Sequence, residues 1–284
     1  MASLYVIATP IGNLEDITIR ALRILKEVKL IAAEDTRTTR KLLSSYDIHT
    51  PLTSFHERNK KAKLPRIIDA LSRNDVALVS DAGTPVISDP GAELISSAIR
   101  NGIPVLSVPG PSAVTSALAL SGMSGNRFTF VGFLPRKNID KNRLIDNLKK
   151  SSETIIMFEA PHRIRNTLEY LKGSLGDRNV AILREMTKLY EENFHGKISD
   201  AISHFENPRG EFTIVMKGEA NDYYPTEHEA RVMLQDLITS GASPRDARDK
   251  IANETGMSKR NLYDIWIDIK NEPAIDELEI QNSI

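Results

Sequence analysis

The chain has 284 residues, 40% of them hydrophobic and 26% charged, and its basic and acidic side chains nearly cancel at a net charge of −1. That length exceeds one ordinary compact domain, at about 100–200 residues each, and suits about two. The balance argues against a surface basic all over but leaves room for basic faces. Cysteine is absent, which removes disulfides, thiolate metal sites and a cysteine nucleophile and fits a reducing, cytoplasmic setting.

Residues 4–8 form a short apolar run that breaks at Thr9-Pro10-Ile11-Gly12-Asn13, the pattern of a strand with a turn at its carboxyl end. Apolar residues in 17–28 recur at helical spacing, with Asp16 or Thr18 as the cap. A second strand at 30–33 runs into Glu34-Asp35-Thr36-Arg37, followed by a helix at 38–46. Ser54-Phe55-His56-Glu57-Arg58-Asn59 opens a basic helix that continues to residue 71. Strands are expected at 76–79 and 105–108, and helices at 92–101 and 112–120. Strand–helix alternation means parallel β-α-β units, hence an N-terminal α/β domain over 1–121.

Gly122-Met123-Ser124-Gly125-Asn126 marks a boundary, after which the pattern changes. Strands are expected at 128–133, 154–158, 180–183 and 212–217, with a strongly basic helix at 136–150 and another helix at 198–205. The segment 190–196 has a hairpin character, so this second α/β domain (122–219) is expected to carry a mixed sheet. A polar linker at 220–226 leads to a strandless remainder, 226–284. There Ser243-Pro244-Arg245-Asp246 is a strong helix start between helices at 227–240 and 258–270, and Gly256-Met257 is the turn. Helix, short turn, helix is the helix-turn-helix outline. No apolar run approaches the roughly 18–20 residues of a membrane span, and the opening segment lacks the basic and apolar regions of an export signal.

Two loops carry most of the chemical information. The segment 77–91 ends an apolar run in Ser80-Asp81-Ala82-Gly83-Thr84-Pro85-Val86-Ile87-Ser88-Asp89-Pro90-Gly91, and 108–113 reads Val108-Pro109-Gly110-Pro111-Ser112-Ala113. In open α/β sheets ligands bind at the carboxyl ends of strands. The second loop is equally explained as a strand-to-helix turn with a serine cap. The first holds more Gly, Pro and Asp than a connector needs. Dinucleotide and phosphate-loop fingerprints are absent, as is His-Glu-x-x-His, and the six histidines lack metal-ligand spacing, so no metal is expected. Glu34 to Arg37 and His56 to Asn59 are explained either as capped helix starts or as groups facing the same cleft. Glu159-Ala160-Pro161-His162-Arg163, Arg184-Glu185-Met186-Thr187-Lys188 and Gly210-Glu211-Phe212-Thr213 adjoin strands of the second half and are placed to meet the first-half loops.

Taken in order, the stretches 4–14, 34–37, 54–59, 80–91, 108–112, 158–163 and 184–188 resemble the ribosomal RNA small-subunit methyltransferase I family of the tetrapyrrole-methylase superfamily, over about residues 3–217. The resemblance implies two unlike α/β domains with S-adenosylmethionine in the cleft between them. It implies 2′-O-methylation of a cytidine in the decoding region of 16S ribosomal RNA, by a homodimer. It further implies cofactor contacts at Pro10, at Ala82, Gly83, Thr84, Val86 and Ile87, at Pro111 and Ser112, at Phe158 and Ala160, at Met186, and at Glu211, Phe212 and Thr213. Where superfamily relatives have Gly-Asp-Pro, this chain has Gly83-Thr84-Pro85.

Methyl transfer to a ribose hydroxyl needs near-attack alignment and help with a proton of high pKa. Asp35, Asp81 and Glu159 are the candidate catalytic acceptors. Arg37, His56, Arg58 and Lys188 are candidates for holding the target nucleotide or its phosphates. Basic clusters at Lys60, Lys61, Lys63 and Arg66, at Arg136, Lys137, Lys141 and Arg143, and at Arg245, Arg248, Lys250, Lys259 and Arg260 are candidate RNA faces or simply solvated ones. Two rival functions remain: methylation of a tetrapyrrole ring carbon, which needs no basic tail, and a non-catalytic RNA-binding protein, whose cofactor loops would have degenerated.

Overall fold

The computed structural model describes residues 2–149, 151–218 and 225–271. The chain forms two compact units, Met1–Gly218 and Glu219–Ile284.

The first half of the larger unit runs β1 (Leu4–Ile7), α1 (Ile19–Glu27), β2 (Leu30–Ala33), α2 (Thr36–Ser45), β3 (Leu52–Ser54), α3 (Lys60–Leu71), β4 (Val76–Val79), α4 (Ala92–Arg100), β5 (Val105–Val108) and α5 (Ala113–Leu120). The strands make one wholly parallel sheet in the order β3-β2-β4-β1-β5. Both faces of its central strands β1, β2 and β4 are covered, which is why these are short, mainly apolar runs. Ile7, Ile31, Ala77 and Val79 face α1 and α2, whereas Leu4, Ala32 and Leu78 face α3 and α4.

The second half runs β6 (Phe128–Phe133), α6 (Asn138–Lys149), β7 (Thr154–Glu159), α7 (Ile164–Leu175), β8 (Asn179–Arg184), β9 (Glu192–Lys197), α8 (Ile198–His204) and β10 (Phe212–Met216). Its sheet, β6-β7-β10-β8-β9, is mixed as expected: β6 pairs parallel with β7 and every other pair is antiparallel. Strand alternation sorts its side chains. Ile155, Met157, Ile182 and Ile214 face α6 to α8, and Ile156, Ala181, Leu183 and Val215 face the other way. On that second face they meet Ile11, Val114 and Ala117. Helix α5, which ends the first half, therefore packs on the second half's sheet, and the two sheets share an apolar seam.

The smaller unit is α9 (Glu227–Thr239), α10 (Pro244–Thr255) and α11 (Lys259–Asn271), around Leu234, Ile251, Leu262 and Ile265. The side chain of Ser243 caps α10, Gly256 ends it in the left-handed region, and Ser258 accepts the amide of Asn261 at 3.1 Å. Residues 220–224 of the expected linker, and 272–284 of the helical remainder, lie outside the described residues.

Two local expectations fail, and one helix is not among the expectations. Residues 52–54 are an edge strand and α3 starts only at Lys60, because the Asn59 side chain ties its turn instead: it accepts from the His56 amide at 2.9 Å and donates to the Ser54 hydroxyl at 2.9 Å. Helix α6 starts at Asn138, two residues later than expected, and its expected last residue, Lys150, lies outside the described residues. Helix α7 has no counterpart in the sequence expectations, although Ile164, Leu168, Leu171 and Leu175 are at helical spacing and wholly or nearly buried.

Candidate active site

The carboxyl ends of β1 and β4 are zipped together where their loops begin. Thr9 and Gly83 exchange two backbone hydrogen bonds of 2.9 Å, and the Thr84 hydroxyl donates to the Pro111 carbonyl at 3.3 Å. Gly83 has φ +75°, which glycine tolerates freely. Val86 (φ 77°) and Ser88 (φ 67°) take the same region with side chains that resist it. Across the seam Glu185 (φ 51°) and Thr187 (φ 67°) do likewise. Strained backbone of this kind clusters at functional sites, which makes these two facing loops the candidate site.

Between these loops lies a cavity of about 330 Å³, in the size range of small-molecule sites. Of the cofactor contacts that the resemblance implies, Ala82, Gly83, Thr84, Ile87 and Ser112 line it from the first half. Phe158, Ala160, Met186, Glu211, Phe212 and Thr213 line it from the second. Pro10, Val86 and Pro111 do not. Val86 turns its side chain toward Gly91 and Leu78 behind the loop, and Pro111 contributes the carbonyl that Thr84 binds. The wall is mainly apolar, with Ile11, Val114 and Phe133 among the added residues, while Asp89, Glu159 and Glu211 bring carboxylates. Rings and sulfur for stacking together with acids for a cation match the donor set that a sulfonium-bearing nucleoside requires, so the residues present fit S-adenosylmethionine.

The three expected acceptors sit differently. Glu159 lines the cavity, yet its side chain is fully buried and engaged: Thr167 donates to it at 2.6 Å, the Ala160 amide at 2.8 Å, and Arg163 pairs with it at 3.4 Å. Asp35 caps α2, and its hydrogen bonds from the Arg37 side chain and amide hold its carboxyl down at about 2. Asp81 accepts the Asp35 amide at 3.0 Å, and burial raises its carboxyl. Neither Asp35 nor Asp81 lines the cavity.

Asp89 does, and sequence reasoning missed it. Burial, then the neighbouring charge of Glu34, push its carboxyl up to about 6. Burial raises Glu34 as well, against the hydrogen bond it accepts from the Asp81 amide; the Asp81 charge adds to the rise while His56 opposes it. The loops after β2, β3 and β4 therefore gather Glu34, His56, Asp81 and Asp89 on one side of the cavity. The signal available in the sequence was the second aspartate of the 80–91 loop. Among the described residues no group of three or more His, Asp or Glu side chains is arranged to hold a metal ion.

Several expected RNA contacts are already neutralised. Arg37 pairs with Asp35, Lys60 with Glu57 and Glu93, and Lys259 with Asp249. Lys188 lies 2.9 Å from both Glu185 and Glu211; burial pulls its ammonium down, but these two hydrogen bonds outweigh that and leave it raised. Lys188 thus holds a cavity wall together. Arg58, Arg136, Lys137 and Arg260 are exposed. In the helical unit Arg245 lines a separate cavity of about 210 Å³ with Arg248, Tyr263 and Trp266. No described helix is long and apolar enough to cross a membrane.

Comparison with known proteins agrees with this architecture. The sequence profile of the tetrapyrrole (corrin/porphyrin) methylases matches residues 3–202. The "Ribosomal RNA small subunit methyltransferase I" of Thermotoga maritima is 54% identical over 222 residues, covering 77% of this chain and all of that relative. Its Bacillus subtilis namesake is 44% identical over 275 residues, covering 94% of each chain. Among solved structures, a diphthine synthase superposes with a TM-score of 0.63 at 14% identity, over 77% of this chain and 90% of its own. A uroporphyrin-III C-methyltransferase from Thermus thermophilus superposes with a TM-score of 0.53 at 20% identity, over 76% and 94%. Profile, identity and shared fold agree, and the chain belongs to the tetrapyrrole methylases and, within them, to the ribosomal RNA small subunit methyltransferase I family.

Proposed function

We propose that this protein methylates small-subunit ribosomal RNA with S-adenosylmethionine, and that the acceptor is the 2′-oxygen of a cytidine ribose in the decoding region of 16S RNA. The cavity carries this reading, because loops from both sheets converge on it with aromatic, thioether and carboxylate groups together. The relatives' names support the RNA class. S-adenosylmethionine supplies a methyl group on a positively charged sulfur.

The residues of the chain do the rest. Phe158 and Met186 present apolar surface to a planar base, and the 82–84 and 112–113 backbone shapes the opposite wall. Glu211, held by Lys188, and Asp89 bring negative charge to the cavity. Glu159 acts as a positioning residue, since its carboxylate is spent on Thr167, Ala160 and Arg163. Asp89 is the proton acceptor for the ribose hydroxyl: it lines the cavity, and its carboxyl near 6 is ionised at neutral pH while remaining a better base than Asp35. Asp81 and Glu34 hold it there by charge. The neutral net charge leaves RNA binding to local basic faces, among them Arg58, Arg136 and Lys137, and Arg245 and Arg260 in the helical unit.

We further propose a homodimer acting in the cytoplasm. Supporting the dimer, Leu14, Ile19, Leu189 and Tyr190 are exposed large apolar residues, and the loops at 12–14 and 187–190 lie side by side in the folded chain, where a Cβ at Gly12 would strike the Lys188 and Thr187 side chains. Calorimetric titration with S-adenosylmethionine tests the site. Saturable binding that Ala113→Trp abolishes is expected; no binding to the wild-type protein contradicts the cofactor assignment.

A further inference from the structure

A second cavity, of about 240 Å³, lies behind Glu159 and is lined by Arg136, Lys141, Arg163, Asn166, Thr167 and Tyr170, with no carboxylate among its lining side chains. The wall between it and the first cavity is shared. Glu159 lines the first, and both of its side-chain partners, Arg163 and Thr167, line the second. Phe133 lines the first, and the carbonyl of the next residue, Leu134, accepts from Arg163 at 2.8 Å.

Arg163 is half-neutralised by Glu159. Arg136 and Lys141 have no carboxylate partner among the described residues, unlike Lys60, Lys188 and Lys259. Lys141 instead sits with its ammonium 4.1 Å from the centre of the Tyr170 ring, a cation–π contact. The Tyr170 hydroxyl is fixed by donating to Asn142 at 2.6 Å. Two cations without a carboxylate partner, a buttressed ring and the Asn166 amide suit a phosphate with a base or sugar beside it. Acids line the neighbouring cleft, so the anionic phosphate is drawn to this cavity while the nucleotide beside it reaches the methyl-transfer site.

We propose that this cavity is a subsite for a phosphodiester of the RNA substrate, flanking the nucleotide that enters the first cavity. This rests on the RNA methyl-transfer reading above. In this arrangement the Arg163–Glu159–Thr167 contacts couple phosphate position to the wall of the reaction site.

The test uses the full chain and unmodified small-subunit RNA. Arg136→Gln with Lys141→Gln removes two charges from the cavity. Arg165→Gln with Lys172→Gln removes two from the exposed face of α7, outside it. The cavity pair is expected to raise the KM for RNA by about tenfold and to flatten the log–log salt slope of binding by about 0.7, the value for one lost single-strand phosphate contact. Affinity for S-adenosylmethionine is expected to stay at the wild-type value, and the α7 pair to change the KM and the slope by far less. Equal effects from both pairs, or none from either, overturn the subsite while RNA methyl transfer by the wild type stands. A wild type that transfers no methyl group to RNA overturns both.

Discussion

Asp89 titrates near 6 in a cavity wall, so the reaction it serves should be pH-dependent in a stated direction. The rate constant kcat/KM should rise with pH through about 6 and level above it, because the base must be ionised. Asp89→Asn should lower the single-turnover rate by about 10²–10⁴-fold with S-adenosylmethionine binding retained. The same group affects stability. Folding raises its pKa above that of the unfolded chain, so the folded state binds more protons between about pH 4 and 6 and stability falls as pH rises across that window. Asp89→Asn should therefore match the wild type below about pH 4 and exceed it above about pH 6, by about 1 kcal/mol after allowance for its partial exposure. Urea denaturation at pH 4 and pH 8 checks this; a destabilised variant at pH 8 would contradict the burial argument. Glu159→Ala strands Arg163 and Thr167 and should cost about 3 kcal/mol, read by thermal unfolding. At this scale the sequence locates the loops well and the acids within them less well. Asp35, Asp81 and Asp89 are alike as letters. Asp35 is set apart locally, by its cap and ion pair with Arg37 two positions on, whereas Asp81 and Asp89 are set apart by burial and by Asp35 and Glu34, more than 40 positions away in the chain.

Individual elements follow their periodicity where the core is two-sided. Strands β1, β2 and β4 are apolar runs because helices cover both faces of their part of the sheet, and they lie, with the edge strand β5, where the sequence puts them. Edge strand β3, Leu-Thr-Ser after a proline, buries too little to leave a signal. The Asn59 turn that delays α3 consists of side-chain hydrogen bonds, which hydrophobic spacing does not register. Elements also set the site's strain. Gly210 has φ +86°, and a Cβ there would lie 2.6 Å from the Glu185 carboxyl carbon. Gly210→Ala should break the Glu185–Lys188–Glu211 cluster, lower stability by about 1–2 kcal/mol and weaken S-adenosylmethionine binding. Unchanged binding and stability would show that this wall is not held by the cluster.

The whole molecule joins a parallel and a mixed sheet through one apolar seam, with a helical unit attached. The alternation of strands and helices makes both sheets legible. The seam is not, because α5 reads as part of the first half while its Val114 and Ala117 pack on the second half's sheet. The Thermotoga maritima relative matches over its whole length yet covers 77% of this chain, and the uncovered share is about the size of the helical unit. A chain ending at Gly218 should therefore keep its affinity for S-adenosylmethionine and bind RNA about tenfold more weakly, with a shallower salt dependence; lost cofactor binding would contradict that division of labour. The most direct measurement is transfer of labelled methyl from S-adenosylmethionine to small ribosomal subunits that lack the modification, followed by mapping of the labelled position. Label on the ribose of a decoding-region cytidine is the predicted result. Label elsewhere on the RNA would contradict the acceptor, and no label on RNA despite tight cofactor binding would contradict the function itself.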